Sequence, residues 1–465
     1  MASSSSSSSV LICLLSLLSL SSFISSSTIV IPLQQQHFTQ TPSSNPWQIL
    51  NNLASTSLTR AKHIKNPRKT HLSKTQLFPQ SYGGYTVSLS FGTPPQTIPF
   101  VMDTGSDLVW FPCTDHYICR NCSFSNSNSN EITSYKPKLS SSVKLIGCQN
   151  TKCSWIHHSD VQSRCQDCTP NSKNCTQICP PYLLLYGSGS TAGLLLSETL
   201  NLNGKKVPNF AVGCSRFSLH IPTGIAGFGR GSPSLPNQLG LSKFSYCLLS
   251  HRFDNTKKST QLVLYSGSDS GDKKTTGVSY TPFIKNPVDR KPEFSVYYYV
   301  GLRKITVGGK KVKIPYNFLA LGSDGNGGTV VDSGSTFTFM EGRIFELVAS
   351  EIENQVAHYR RASDVEASSG LKPCFQLPKN DEEISLPKLS FHFKGGAEMD
   401  LPLANYFSFV GNTKVVCLTI VTNSADSAGV SDGPSIILGN FQQQNYYVEY
   451  DLKNERFGFR QQTCK

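Results

Sequence analysis

Two apolar runs that each end in a carboxylate and a tight glycine turn constrain this chain more than any other feature. They are Phe100-Val-Met-Asp103-Thr104-Gly105-Ser106 and Thr329-Val-Val-Asp332-Ser333-Gly334-Ser335. Each reads as a buried strand that delivers an Asp to a turn, with a hydroxyl beside it able to hydrogen-bond the carboxylate. The tripeptide alone carries little weight, because average composition supplies roughly one chance match every few chains. Asp269-Ser270-Gly271 is such a match: no apolar run leads into it, and it reads as an exposed turn. The two serious copies also share a Ser at the third position after Asp and a later segment of two apolar residues and Gly, Ile225-Ala226-Gly227 and Ile437-Leu438-Gly439. From Asp103 to Gly227 the chain advances 124 residues, and from Asp332 to Gly439 it advances 107.

A long-period duplication with one site element per half predicts two lobes related by a two-fold axis, which sets equivalent loops face to face. Asp103 and Asp332 would then lie across the seam. Two carboxylates that close cannot both ionise comfortably, so one keeps a proton while the other is free to act as a base. Such a pair can take a proton from a trapped water, polarise a carbonyl and return a proton to a leaving amine. It titrates as a unit, and acid favours the singly protonated form.

The chain has 465 residues, enough for two or more cores, and its charged fraction of 16% is low for a globular protein. Its punctuation is that of a mostly β chain. Tyr82–Gly92 alternates apolar and polar residues, and Tyr182–Leu196 reads as a hairpin around the flexible tip Gly187-Ser188-Gly189-Ser190. Short β-type segments follow at 210–213, 224–227, 244–247, 262–265, 296–302 and 305–312. Helical spacing is convincing only over Glu341–Arg361, through Ile344, Leu347, Val348, Ile352 and Val356. The polar stretch 266–276 marks the expected division between lobes, giving 81–276 and 277–465.

Residues 1–27 are Ser-rich around an apolar run, Val10–Leu20, too short to span a bilayer, and read as a secretory signal without the usual leading cation. Removing Cys13 with it leaves fourteen of the fifteen cysteines, an even set that fits an oxidising compartment. Nine of them crowd into 113–179, including the pairs Cys119/Cys122 and Cys165/Cys168. Paired CxxC would suggest zinc in a cytosolic chain, but stapled loops are expected in an exported one, and no metal is assigned. The Ser/Asn run 123–130 reads as a surface loop. Asn121-Cys-Ser and Asn174-Cys-Thr are glycosylation acceptors by pattern.

The net charge is +13, and no acidic residue precedes Asp103. Arg60, Lys62, Lys65, Arg68, Lys69 and Lys74 place about six of those charges within 28–80. The segment reads as a removable basic propeptide, with a solvated linker as the alternative. Nucleic-acid binding by such a run is not expected of an exported chain. Other chemistries lack a scaffold: there is no H-E-x-x-H, no G-x-S-x-G elbow, and neither Gly-rich stretch, 187–190 or 227–231, opens a helix or carries a phosphate-binding Lys.

From about residue 82 onward the motifs resemble the pepsin-like aspartic endopeptidases, in particular their Cys-rich, nepenthesin-like plant branch. The resemblance implies a mostly β, bilobal pepsin-like acid protease fold with pseudo-two-fold symmetry and the site between the lobes. It implies catalytic roles for Asp103 and Asp332, bracing roles for Thr104, Gly105, Ser106, Ser333, Gly334 and Ser335, and a substrate flap of Tyr186, Gly187 and Ser188 whose Tyr is held by Trp110. The Cys-rich 113–179 looks like that branch's insert. Cys374 with Cys417 and Cys247 with Cys464 are placed for bridges by the same resemblance. The implied protein is a secreted monomeric zymogen, of cell wall or vacuole, that cuts extended peptides at acid pH without a cofactor, membrane anchor or nucleic-acid partner. The rival implied by the family is a catalytically inactive binding protein such as a glycanase inhibitor.

Overall fold

The computed structural model describes residues 27–35, 46–65, 84–122, 132–166, 168, 175–187, 189–250, 259–267, 274–287, 292–378, 385–409, 414–423 and 432–465. The secretory signal apart from Ser27, the Ser/Asn run, Asn174, Ser188 and the Asp269 turn lie outside the described residues.

Strand β1 (Ser27–Gln35) comes from the segment expected to be propeptide or linker, and its alternation is clean: Ile29, Ile31 and Leu33 are buried. Helix α1 (Pro46–Lys65) follows, again where no element was expected. β2 (Tyr85–Phe91) alternates as predicted, and β3 (Gln96–Asp103) turns continuously buried from Phe100 because both its faces are covered, Phe100 and Met102 in one apolar cluster and Val101 in another. β4 (Trp110–Pro112) leads into the Cys-rich region. β5 (Tyr182–Tyr186) and β6 (Gly189–Leu202) make the predicted hairpin, in antiparallel register from Tyr186↔Gly189 to Tyr182↔Gly193. β7 (Lys205–Leu219) returns through Asn203-Gly204, both at positive φ, as a two-residue primed turn demands.

β8 (Gly224–Gly227) lies parallel to β3, with Gly227 opposite Asp103. β9 (Leu241–Cys247) and β10 (Ser259–Ser266) complete this half, and β1 is inserted between β10 and β2.

The second half repeats the arrangement. β11 (Tyr298–Val300), β12 (Thr329–Val331), β13 (Thr338–Met340) and β14 (Ile436–Leu438) form a sheet with 420–421, in which β12 runs parallel to β14 as β3 runs parallel to β8. The duplicated apolar-apolar-Gly segments are thus the parallel neighbours of the two Asp strands. β15 (Tyr446–Asp451) then crosses back to pair with β9, and β16 (Arg456–Gln461) pairs with β15, so the largest sheet contains strands from both halves.

Helix α2 (Gly342–Gln355) stops short of the expected Arg361, because Arg360–Arg361 pairs as a strand with Phe375–Gln376; α3 (Ser363–Ser369) follows. One apolar cluster runs through both halves, and a second, under α1, lies in the second half. No helix among the described residues is long and apolar enough to cross a membrane.

Seven disulfides join the fourteen cysteines. Cys374–Cys417 and Cys247–Cys464 are present, with Cys113–Cys214, Cys119–Cys122, Cys148–Cys165, Cys153–Cys179 and Cys168–Cys175. The CxxC sulfurs are therefore committed to bridges.

Candidate active site

Asp103 closes β3 and Asp332 follows β12 directly, so each carboxyl leaves a strand held rigidly by two neighbours. Both are 1% exposed. Each is held in the same way: Asp103 Oδ1 accepts from Gly105 N–H at 2.9 Å and Oδ2 from Ser106 Oγ at 2.6 Å. Asp332 Oδ1 accepts from Gly334 N–H at 3.0 Å and Oδ2 from Ser335 Oγ at 2.5 Å. The two turns are also laced together. Thr104 N–H donates to Ser333 Oγ at 3.0 Å, and Ser333 N–H donates to Thr104 Oγ1 at 2.8 Å. Each hydroxyl in turn donates to the opposite strand, Thr104 to Val331 O at 3.4 Å and Ser333 to Met102 O at 3.0 Å.

Glycine is needed in each turn because the other carboxylate presses on it. A Cβ on Gly105 would fall 2.6 Å from Asp332 Oδ1, and one on Gly334 would strike Asp103 Oδ1. The parallel neighbours need theirs too: a Cβ on Gly227 would strike the Asp107 carbonyl, and one on Gly439 the Thr336 carbonyl.

Tyr186 ends β5 above this pair, and its hydroxyl accepts from the buried Trp110 Nε1 at 2.8 Å. Asn121, by contrast, sits away from the pair, exposed, in a left-handed turn whose neighbour Cys122 is bridged to Cys119.

In the sequence Arg60 is one of six cations in a basic segment whose charge suits it to dock on an acidic cleft at neutral pH. In the structure it occupies the seam: Nε donates to Asp332 Oδ2 at 2.9 Å, while Nη2 donates to Asp332 Oδ1 at 3.1 Å and Asp103 Oδ1 at 2.5 Å. A Cβ on Gly187 would strike the Arg60 backbone, so the β5–β6 hairpin packs directly on α1. The helix is seated by its apolar face, Leu50, Leu53, Ala54, Ala61 and Ile64, against Tyr297, Phe337, Phe339 and Phe441. Ser57 Oγ accepts from Phe337 N–H at 2.9 Å. The signal that could have found α1 is the i, i+3, i+4 recurrence of those apolar residues; nothing in the sequence singles out Arg60 among them.

Burial opposes the charge on Arg60, but Asp103 and Asp332 outweigh it and hold the guanidinium protonated well above its ordinary range. The acids are pushed apart. Burial raises Asp103, with Asp332 adding to it and Arg60 opposing. At Asp332 burial acts the same way but is overcome by Arg60, Ser335 and the Gly334 N–H, and its carboxyl lies below the usual range. Asp107, four residues past Asp103, was also missed. Burial pushes it up to about 7 although Gly231 N–H donates to it at 2.9 Å.

Paired strand ends, laced turns and a Tyr-bearing hairpin above them define a two-lobed acid-protease architecture. Comparison with known proteins agrees. Residues 85–264 match the family model described as xylanase inhibitor N-terminal, and 297–461 the one described as xylanase inhibitor C-terminal. A probable aspartyl protease of Arabidopsis thaliana is 34% identical over 82% of both chains. Aspartic proteinase nepenthesin-2 of Nepenthes gracilis is 32% identical over 82% of this chain and 78% of its own. Among solved structures, edgp superposes with a TM-score of 0.62 at 19% identity, over 94% of this chain and 95% of that one. Basic 7S globulin from soybean gives 0.59 at 16%, over 94% and 97%. The chain belongs to the pepsin-like aspartic proteases, in their Cys-rich nepenthesin-like plant branch.

Proposed function

We propose that this protein is an exported aspartic endopeptidase, made as a zymogen, that hydrolyses peptide bonds at acid pH. The observation that carries this is the pair of equivalently held carboxylates, Asp103 and Asp332, facing each other beneath the Tyr186 flap. In the opened enzyme one acid keeps the shared proton and the other takes a proton from a water between them. The water attacks the peptide carbonyl, the protonated acid polarises that carbonyl and then returns a proton to the leaving amine, and no covalent intermediate forms. Thr104 and Ser333 fix the spacing of the pair, and Trp110 positions Tyr186 over an extended substrate. The cut that matures the chain falls after Lys65 and before Tyr85, leaving the two lobes 81–276 and 277–465 as one monomeric enzyme. The seven disulfides support the secretory route, to the cell wall or the vacuole.

Latency follows from Arg60, which satisfies both carboxylates at once and fills the place of the water. The second reading, a binding protein, is favoured by the xylanase-inhibitor descriptions of the matching family models. Against it stands a pair with both acids, both Ser supports and the flap Tyr. The test is digestion of casein by the acid-treated full chain, with and without pepstatin, beside Asp103→Asn and Asp332→Asn. Each variant is expected to lose cleavage; undiminished cleavage by either purified variant overturns the mechanism. Xylanase inhibition without any proteolysis would establish the binding reading instead.

A further inference from the structure

The last residue of α1 is seated as specifically as Arg60. The Lys65 ammonium is buried; it pairs with Glu341, donates to Pro434 O at 2.9 Å, and stands 5.5 Å from the Phe339 ring centroid. Burial lowers the Lys65 pKa, with Glu341 and Asp432 opposing. Gly433 closes the mouth, where a Cβ would fall 2.7 Å from Lys65 Cα. The slot is thus built entirely from the second half: an aromatic wall from β13, an acidic floor at the start of α2 and a carbonyl from the strand leading into β14. Glu341 is itself only 1% exposed, and its N–H is anchored on Ser435 O at 3.0 Å.

Its distance from the seam matters. Arg60 and Lys65 are five residues apart on one helix, a rise of roughly 7.5 Å, which equals about two residues of an extended chain. When α1 leaves and a substrate takes its course past the Asp pair, the Lys65–Glu341 pair is broken and the place of the Lys65 ammonium falls open to a new side chain. A substrate cation of the same length can take that place, meeting the Glu341 carboxylate and the Pro434 carbonyl as the Lys65 ammonium does.

We propose that the Glu341 slot is a substrate subsite selecting a Lys or Arg side chain two or three residues from the bond cut, with Lys65 as its occupant in the precursor. This rests on the endopeptidase reading above. Phe339 supports it by offering the aliphatic stem and the charge an aromatic face.

The test uses the acid-activated full chain at about pH 5. Lys, norleucine and Glu are scanned through the positions flanking the cut in a peptide set. Lys is expected to be favoured over norleucine by about tenfold or more in kcat/KM at one such position, chiefly through KM. In Glu341→Gln that ratio is expected to fall to within about twofold of one, and in Glu341→Lys the position is expected to favour Glu. A Lys preference that survives Glu341→Gln overturns the inference. So does a wild-type profile with no basic preference, a measurement that needs no variant to fold. Cleavage without that preference removes this inference alone, whereas a chain that cleaves no peptide removes the endopeptidase reading and this subsite together.

Discussion

Trp110 is wholly buried between β8 and β7, and its indole N–H gives the Tyr186 hydroxyl a fixed donor. A phenyl ring at 110 keeps most of the apolar contact and drops the donor, a loss of about 1 kcal/mol where the partner stays buried. Trp110→Phe is therefore expected to fold, to melt a few degrees lower, and to lose about tenfold in kcat/KM. Steady-state peptide hydrolysis checks this, and an unaltered kcat/KM would show that Tyr186 needs no such anchor. Arg60 obeys a different logic, since a cation shared by two buried acids cannot be trimmed without leaving both. In Arg60→Gln the docked helix should hold the precursor poorly, and the lag before acid activation should shorten.

Among the elements, α1 has a docking strength that its apolar face largely sets. Leu50 is fully buried on it, and truncating a buried Leu costs about 2–5 kcal/mol. Leu50→Ala should make 46–65 sensitive to added protease at a pH where the wild-type precursor resists, as read by limited proteolysis. The duplicated Asp strands, β2, the hairpin and most of α2 were legible because each declares itself within ten to twenty residues, by alternation, turn residues or helical period. β1 and α1 were not. β1 alternates properly, but Pro32 reads against a strand inside a sheet; here Pro32 is paired on one side only, with Gln261, because β2 reaches no further than Leu33. In α1 a row of cations masks the apolar face. The pairing of Arg60 with Asp332 spans 272 residues, and no local pattern encodes a contact of that range. The disulfide partners inside the Cys-rich region were equally hidden, since spacing alone leaves many pairings open.

At the scale of the whole molecule, the proposed release of α1 would make the docked and opened forms differ in proton affinity. Burial and the neighbouring Arg60 push His63 down to about 4 from its ordinary 6.5, with Asp332 pulling the other way. A base depressed in the docked form binds its proton in the opened form first, so docking weakens as pH falls from about 6.5 toward 4. Asp332, depressed by Arg60, adds stability that is present above the ordinary carboxylate range and lost as pH falls through its lowered value. Asp103 is raised and carries the opposite sign, which leaves His63 to lead. His63→Gln should shift the midpoint of acid activation down by roughly half a unit or more. An unmoved midpoint would assign the trigger to the carboxylates.

The bridge Cys247–Cys464 joins the end of β9 to a point 217 residues further on. Everything between them, including Asp332, the Glu341 slot and the polar stretch 266–276, therefore lies on a covalent ring. A single nick anywhere on that ring opens it without severing it. A processed enzyme cut between its lobes would run as one species until reduced, and its halves would remain near enough to keep re-forming the seam.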